Sequence, residues 1–169
     1  MAANKVAGYS RLQIVLHWAV VLLIIFQYFA HEVMEHSHSA LSRGQTPNAS
    51  DLLWANIHVI AGVTVLLFAL ARLWLRFTRG APSLPEEESP LLKLAAHATH
   101  FLIYAAIIMI PMSGLASWYL GIGPAGEVHE ILFNVLLALI AVHIAGALYQ
   151  HFVLKTDVVR RMMRPESAS

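Results

Sequence analysis

The stretch VHEILFNVLLALIAVH, residues 128–143, decides how this chain folds. Thirteen residues, nearly all apolar, separate His129 from His143. In an α-helix a step of fourteen residues returns to within about 40° of its starting direction and rises about 21 Å. We therefore expect the two imidazoles to lie on one face of a helix, at two well-separated depths.

The rest of the chain is as apolar as this stretch. Of its 169 residues, 58% are hydrophobic and 12% are charged, and the mean hydropathy is +0.63. A soluble domain of this size could not bury so much apolar surface. Four stretches are long enough to cross about 30 Å of hydrocarbon, and they span roughly residues 12–30, 52–75, 94–120 and 128–154. The sequence predicts one all-α domain over residues 1–169, an integral membrane four-helix up-down bundle.

Basic residues predict the orientation of this bundle. Ten of the eleven lysines and arginines flank one end of the predicted helices, and only Arg43 lies at the other end. By the positive-inside rule, both termini are expected on the cytoplasmic side. The expected location is the bacterial inner membrane, where lipid surrounds the bundle. The net charge of +1 gives no reason to expect a nucleic-acid partner. The absence of cysteine excludes disulfides, thiolate-held iron–sulfur clusters and haem attached through a C-x-x-C-H motif.

Two connections complete the predicted topology. The segment RGAPSLPEEESP, residues 79–90, is rich in proline and acidic residues, which predicts a solvated loop on the cytoplasmic side. The segment GIGPAG, residues 121–126, predicts the outer connection between the third and fourth helices.

Four of the ten histidines fall into two depth-matched pairs. His58 and His129 both lie early in helices that start at the outer side, whereas His17 and His143 lie in the inner half. Ionisable groups within membrane spans usually face the bundle interior and have a partner. A haem b needs two imidazole nitrogens on opposite sides of its plane, and facing helices supply such pairs. The pattern predicts two haems stacked across the bilayer.

Other residues bear on this interpretation. Gly62 follows His58 by four residues and Gly146 follows His143 by three, so each could give a porphyrin room on the same helix face or simply allow close helix packing. Five further histidines could have other roles. His97 and His100 are rival ligands at the inner level, and three more lie in the outer loop: His31, His36 and His38. A zinc or copper site would need three or four ligands at one depth, which the 14-residue spacing disfavours.

Eight segments, in order along nearly the whole chain, resemble the bacterial cytochrome b-561 family, with the nearest likeness to its superoxide oxidase members. They read YSRLQIVLHW, NIHVIAG, LARLWLR, AHATHFLIY, IPMSGL, HEILFNV, AVHIAGALYQHF and RRMM. The resemblance implies two haems b, the inner one held by His17 and His143 and the outer one by His58 and His129. It also implies that superoxide gives up an electron at the outer side and that ubiquinone is reduced near the inner haem.

This activity places a quinone site at the cytoplasmic interface. The residues expected to line it are Ser10, Arg11, Lys93, His97 and His100. Arg11 or Arg72 could pair with a haem propionate, because a guanidinium matches a carboxylate in shape and charge.

Two alternatives stay open on the sequence alone. One is a di-haem subunit that exchanges electrons between the quinone pool and a periplasmic protein partner. The other is a haem-free, histidine-lined transporter of metal ions or protons.

Overall fold

The computed structural model describes residues 8–31, 34, 39–40, 43–46, 48–83 and 88–165. Its helices are α1 Arg11–Phe29, α2 Ala49–Arg79, α3 Pro90–Leu120, α4 Gly123–Phe152 and the short α5 Val158–Arg161. The first four are long and apolar enough to cross a membrane, and no strand occurs in the described ranges. The prediction of a four-helix membrane bundle is confirmed.

The four long helices begin earlier than predicted, and for α2 and α3 the reason is a side-chain cap that lies outside the apolar stretch. The side chain of Asn48 accepts a hydrogen bond from the Asp51 backbone N–H at 2.8 Å and so starts α2. Ser89 caps α3 in the same way, with Pro90 in the first turn, where its missing N–H costs nothing. Apolar periodicity does not report such caps.

The predicted outer connection is wrong in its length. Only Gly121 and Ile122 separate α3 from α4, and Gly123 to Gly126 are helical. Gly121 has φ 66°, the left-handed conformation that ends a helix at little cost when no Cβ is present. Because this turn is so tight, α3 and α4 form a closely packed antiparallel pair.

The four long helices run up and down in sequence order, and one side of the bundle is open. In the described part of the chain α1 packs on α2, α2 on α3 and α3 on α4, whereas no Cα atom of α4 lies within 8 Å of a Cα atom of α1 or α2. The buried core therefore joins α2, α3 and α4 through a small set of residues: Val65, Ala69, Ala106, Ile107, Ile110 and Leu136.

The two ends of the bundle differ in charge. The end where α1 and α3 begin and α2 and α4 end is called the basic end below, and the opposite end is called the distal end. The sequence predicts that the connector at the basic end is a solvated loop, of which residues 84–87 lie outside the described residues; Glu88 departs from this prediction. Glu88 is buried and accepts a hydrogen bond from the amide of Gln150, two residues before the end of α4.

Candidate functional site

Two pairs of imidazoles lie on the open side of the bundle, and within each pair one ring comes from α4 and the other from α1 or α2. The ring centroids of His58 and His129 are 6.1 Å apart, and those of His17 and His143 are 6.4 Å apart. A bond from a histidine nitrogen to a metal is about 2.0 Å long, so two imidazoles on opposite sides of one metal ion have centroids roughly 6 Å apart. Both pairs have the spacing that a six-coordinate haem iron requires.

The paired histidines come from helices whose backbones are not in contact. α4 stands away from α1 and α2, and the paired imidazoles reach across the gap between them. A Cβ added at Gly146 would meet nothing within 4 Å, whereas one added at Gly62 would lie 3.2 Å from Nε2 of Gln27. Gly146 therefore borders open space, and Gly62 allows Gln27 to approach α2. The two pairs fit the donor set that a haem b needs.

At the distal level, His129 is held in the tautomer that can bind iron. Its Nδ1 donates a hydrogen bond to the backbone carbonyl of Ile110 at 2.7 Å, which leaves the Nε2 lone pair free. Gly114 makes this approach possible, because an added Cβ there would lie 2.8 Å from Nδ1 of His129. Sequence reasoning missed Gly114. The sequence does contain a signal for it. Gly114 lies as many residues before Gly121 as His129 lies after Ile122, so a tight turn at Gly121 and Ile122 brings Gly114 and His129 to the same level.

His58, the other imidazole at this level, lies in an incomplete polar network. Nε2 of Gln27 donates to the backbone carbonyl of His58 at 3.0 Å. Oε1 of Gln27 and Nδ1 of His58 are buried and have no hydrogen-bond partner among the described residues. Buried polar atoms are rarely left so, and a bound group or an ordered water commonly completes such a network.

At the level nearer the basic end, an arginine contacts His17. Nη1 of Arg72 lies 2.7 Å from Nδ1 of His17. A guanidinium can only donate, so Nδ1 accepts and the neutral ring carries its proton on Nε2. Binding iron through Nε2 requires the opposite tautomer. A ligating His17 would therefore have to exchange this contact, which would free the Arg72 guanidinium for another anion or acceptor.

A third imidazole touches this pair. The rings of His100 and His143 meet edge to face with centroids 5.1 Å apart, which is too close for the two rings to bind opposite sides of one haem iron. Nδ1 of His100 donates to the backbone carbonyl of Ala96 at 2.7 Å. Within the described residues, no group of three or more histidines or carboxylates is placed to hold a metal ion directly. His100 is thus a neighbour of the His17–His143 pair.

A cavity of about 440 Å³ opens beside His100 at the basic end. Of the five predicted quinone-site residues, Lys93, His97 and His100 line it. Ser10 and Arg11 do not line it; Ser10 caps α1 through Gln13, and Arg11 is exposed. Among the residues that the structure describes, the lining consists of Tyr9, Arg76, Ala81, Pro82, Ser83, Lys93, Ala96, His97 and His100.

Sequence reasoning missed two polar residues of this cavity, Tyr9 and Arg76. Arg76 follows Arg72 by four residues, so the two share one face of α2. Tyr9 lies just before α1, and burial raises the pKa of its phenol above the usual value although the nearby Arg76 guanidinium acts in the opposite direction. Tyr9 therefore lines the cavity with its phenol protonated at physiological pH.

The histidines of the outer loop are described only in part. His31, near the end of α1, is exposed, and His36 and His38 lie outside the described residues.

Comparison with known proteins agrees with this architecture. The model of the prokaryotic cytochrome b561 family matches residues 8–165. A cytochrome b562 of Cereibacter sphaeroides is 35% identical over 94% of this chain and 96% of its own length. A probable superoxide oxidase of Yersinia pestis is 28% identical over 92% of this chain and 95% of its own length. A protein of Escherichia coli named cytochrome b561 homolog 1 is 29% identical over 92% of this chain and 96% of its own length. The chain belongs to the prokaryotic cytochrome b561 family of membrane electron-transfer proteins, whose cofactor is haem b.

Proposed function

We propose that this protein binds two haems b and carries electrons from superoxide at its distal end to ubiquinone at its basic end. The observation that carries the proposal is the pair of imidazole couples, at 6.1 and 6.4 Å, on the open side of the bundle. The positive-inside pattern supports a periplasmic distal end and a cytoplasmic basic end. The likeness to a probable superoxide oxidase supports superoxide as the donor.

The four histidines restrict the chemistry. A haem b held by two imidazoles would supply one-electron transfer and would offer no open iron site to a substrate. His58 and His129 hold the distal position, and the Ile110 carbonyl keeps Nε2 of His129 available. His17 and His143 hold the other position. The fourteen-residue step from His129 to His143 sets the two levels about 21 Å apart along α4.

Arginines of α2 are placed to neutralise haem propionates near the basic end. Arg72 is within hydrogen-bond distance of His17, and Arg76 follows one turn later and lines the cavity. If His17 held a haem through Nε2, Arg72 would lose its acceptor on the ring, and a carboxylate is the partner that a guanidinium prefers. Arg11, the other arginine considered from the sequence, is exposed and lies outside the cavity lining.

The cavity at the basic end is the proposed quinone site. Tyr9 can donate a hydrogen bond to a quinone carbonyl, and Lys93 and His97 line the same cavity. Each superoxide gives up one electron and leaves as O₂. Two superoxide ions and two protons therefore convert one ubiquinone to ubiquinol, and an opening at the basic end allows the protons to come from the cytoplasmic side.

Rapid mixing of the oxidised, haem-loaded protein with superoxide tests the donor. We expect the haem absorption bands to shift to the reduced form faster than superoxide disappears by dismutation, and added superoxide dismutase to abolish the shift. A His129→Ala variant, which lacks a distal ligand, should respond more slowly. Reduction no faster than dismutation permits would exclude superoxide as the donor.

One observation favours a second candidate, electron exchange with a cationic periplasmic protein. The described residues of the distal end include the acidic side chains of Asp51, Glu127 and Glu130 and the single basic side chain of Arg43. An acidic face attracts a basic partner and repels an anionic radical. Ionic strength separates the two: the reduction rate should rise with added salt if superoxide is the donor and fall if a basic protein is the donor.

A further inference from the structure

The chain turns back on itself after α4, at the basic end. Lys155 has φ 53°, in the left-handed region, and the Thr156 hydroxyl donates to Oε1 of Gln150 at 3.0 Å. Asp157 then leads into α5. This turn directs the C-terminal segment, residues 153–164, across the bundle toward α1 instead of away from the protein.

Two hydrogen bonds fasten the C-terminal segment to distant parts of the chain. The indole N–H of Trp18 in α1 donates to the backbone carbonyl of Met162 at 3.0 Å. Nη1 of Arg161 donates to the backbone carbonyl of Ser83 at 3.0 Å. Nη2 of Arg161 is 2.9 Å from a carboxylate oxygen of Asp157, which fixes the orientation of the guanidinium. Arg161 thus joins the end of the chain to the connector between α2 and α3.

The piece of connector that Arg161 holds is also a wall of the cavity. Ala81, Pro82 and Ser83 line the cavity, and the amide of Gln13 in α1 holds the start of the same wall by donating to the Gly80 carbonyl at 3.1 Å. Arg161 lies at the other end of this short wall. Its side chain is 26% exposed, and its hydrogen bond to the Ser83 carbonyl is exposed to solvent.

We propose that Arg161 is a positioning residue for quinone binding, which it serves by holding the wall formed by Ala81, Pro82 and Ser83 in place. The inference rests on the proposed quinone site and deepens it. The guanidinium does not line the cavity; it acts through the backbone of Ser83. The Arg161 guanidinium contacts the Ser83 carbonyl and the Asp157 carboxylate at the same time. A lysine ammonium lacks this planar geometry, so Arg161→Lys should restore only part of the positioning.

The first test measures the position of the wall and needs no quinone. The chain has no cysteine, so an Ala81→Cys variant has a single, half-buried thiol in the cavity wall, whose rate of reaction with a maleimide can be followed in the haem-loaded protein. We expect this rate to rise roughly three- to tenfold when Arg161→Gln is added, because two charge-assisted bonds are lost from a partly exposed side chain. Asp157→Asn should raise it less.

Arg160→Gln is the matched control, because it removes the same charge from the neighbouring, exposed residue. It should leave the labelling rate unchanged. Equal rates in the Arg161→Gln and Arg160→Gln backgrounds would overturn the proposal whatever the electron acceptor is.

The second test links the wall to binding. With decylubiquinone as the acceptor, Arg161→Gln should raise KM several-fold with little change in kcat and none in the haem spectrum, and Arg161→Lys should recover part of the loss. A loosened wall with an unchanged KM would overturn the positioning role. Failure of the unmodified protein to reduce decylubiquinone would instead contradict the proposed function, and the labelling result would still decide whether Arg161 holds the wall.

Discussion

At the scale of single residues, the absence of a side chain at Gly114 allows the His129 ring to reach its position beside Ile110. A methyl group at this position would lie 2.8 Å from Nδ1 and 3.0 Å from Cε1 of His129, so the ring would have to move and its bond to Ile110 would be lost. We expect Gly114→Ala to lower the haem content toward one haem per chain, with loss of the distal haem. Quantifying haem against protein measures this effect.

Gly123→Ala is the control for this substitution, because a Cβ added at Gly123 would meet nothing within 4 Å. It should keep the full haem content. If both variants retained every haem, the role given to Gly114 would be wrong.

Arg72 offers a second residue-scale prediction, in the reduction potential of the haem nearer the basic end. A positive charge close to a haem favours the reduced form, which carries one more electron. Arg72→Gln should therefore lower that potential by a few tens of millivolts, and Arg72→Lys should lower it less. A spectroscopic redox titration measures the shift, with the exposed Arg79→Gln as control. Equal potentials in the Arg72→Gln and Arg79→Gln variants would contradict the placement of Arg72 beside this haem.

Tyr9 gives a prediction about pH. Because burial raises the pKa of its phenol, the O–H stays protonated and able to donate throughout the range from about pH 6 to 9. Tyr9→Phe should raise the KM for decylubiquinone about fivefold, the value of one hydrogen bond near 1 kcal/mol, by the same factor across this range. A ratio that changed steadily with pH would show that Tyr9 ionises within the range and would contradict the raised pKa.

At the scale of elements, the two-residue turn between α3 and α4 sets the register that brings Gly114 to His129. Gly121 has φ 66°, where a side chain costs about 1 kcal/mol. Gly121→Ala should lower the unfolding temperature measured by helical circular dichroism in detergent, whereas Gly121→Asn should lower it less, since asparagine tolerates this conformation. Should Gly121→Ala unfold at the same temperature as Gly123→Ala, the turn would not be the constraint inferred here.

The elements also show what sequence reasoning could and could not reach. Apolar length predicted the four spans, and helical rise predicted which histidines share a depth, because both depend only on local geometry. Helix ends were displaced where polar caps lay outside the apolar stretches, as at Asn48 and Ser89.

Contacts between distant segments had no local signal. The burial of Glu88 against Gln150, the Arg161 bond to Ser83 and the contact of His100 with His143 each join residues far apart in the chain. Periodicity specifies the face and depth of a residue on its own helix, but it does not specify the rotation of one helix relative to another. The ligand roles of the four histidines remain a prediction that spectroscopy has to test.

At the scale of the whole molecule, the two ends of the bundle carry different groups of residues. The distal end has an acidic surface and the His58–His129 couple below it, whereas the basic end combines the His17–His143 couple with a cavity lined by Arg76 and other polar groups. The open side between α4 and the α1–α2 pair runs past both couples. This arrangement is suited to carrying charge along the bundle axis rather than to chemistry at one centre.

The central claim is that each of the two imidazole couples holds one haem b. Haem extracted as its pyridine complex and divided by protein concentration, in the fully loaded protein, tests it most directly. The account predicts two haems b per chain in the unmodified protein and one in the His58→Ala variant, with the absorption of the haem nearer the basic end retained. A single haem per chain in the unmodified protein, or two in the His58→Ala variant, would contradict it.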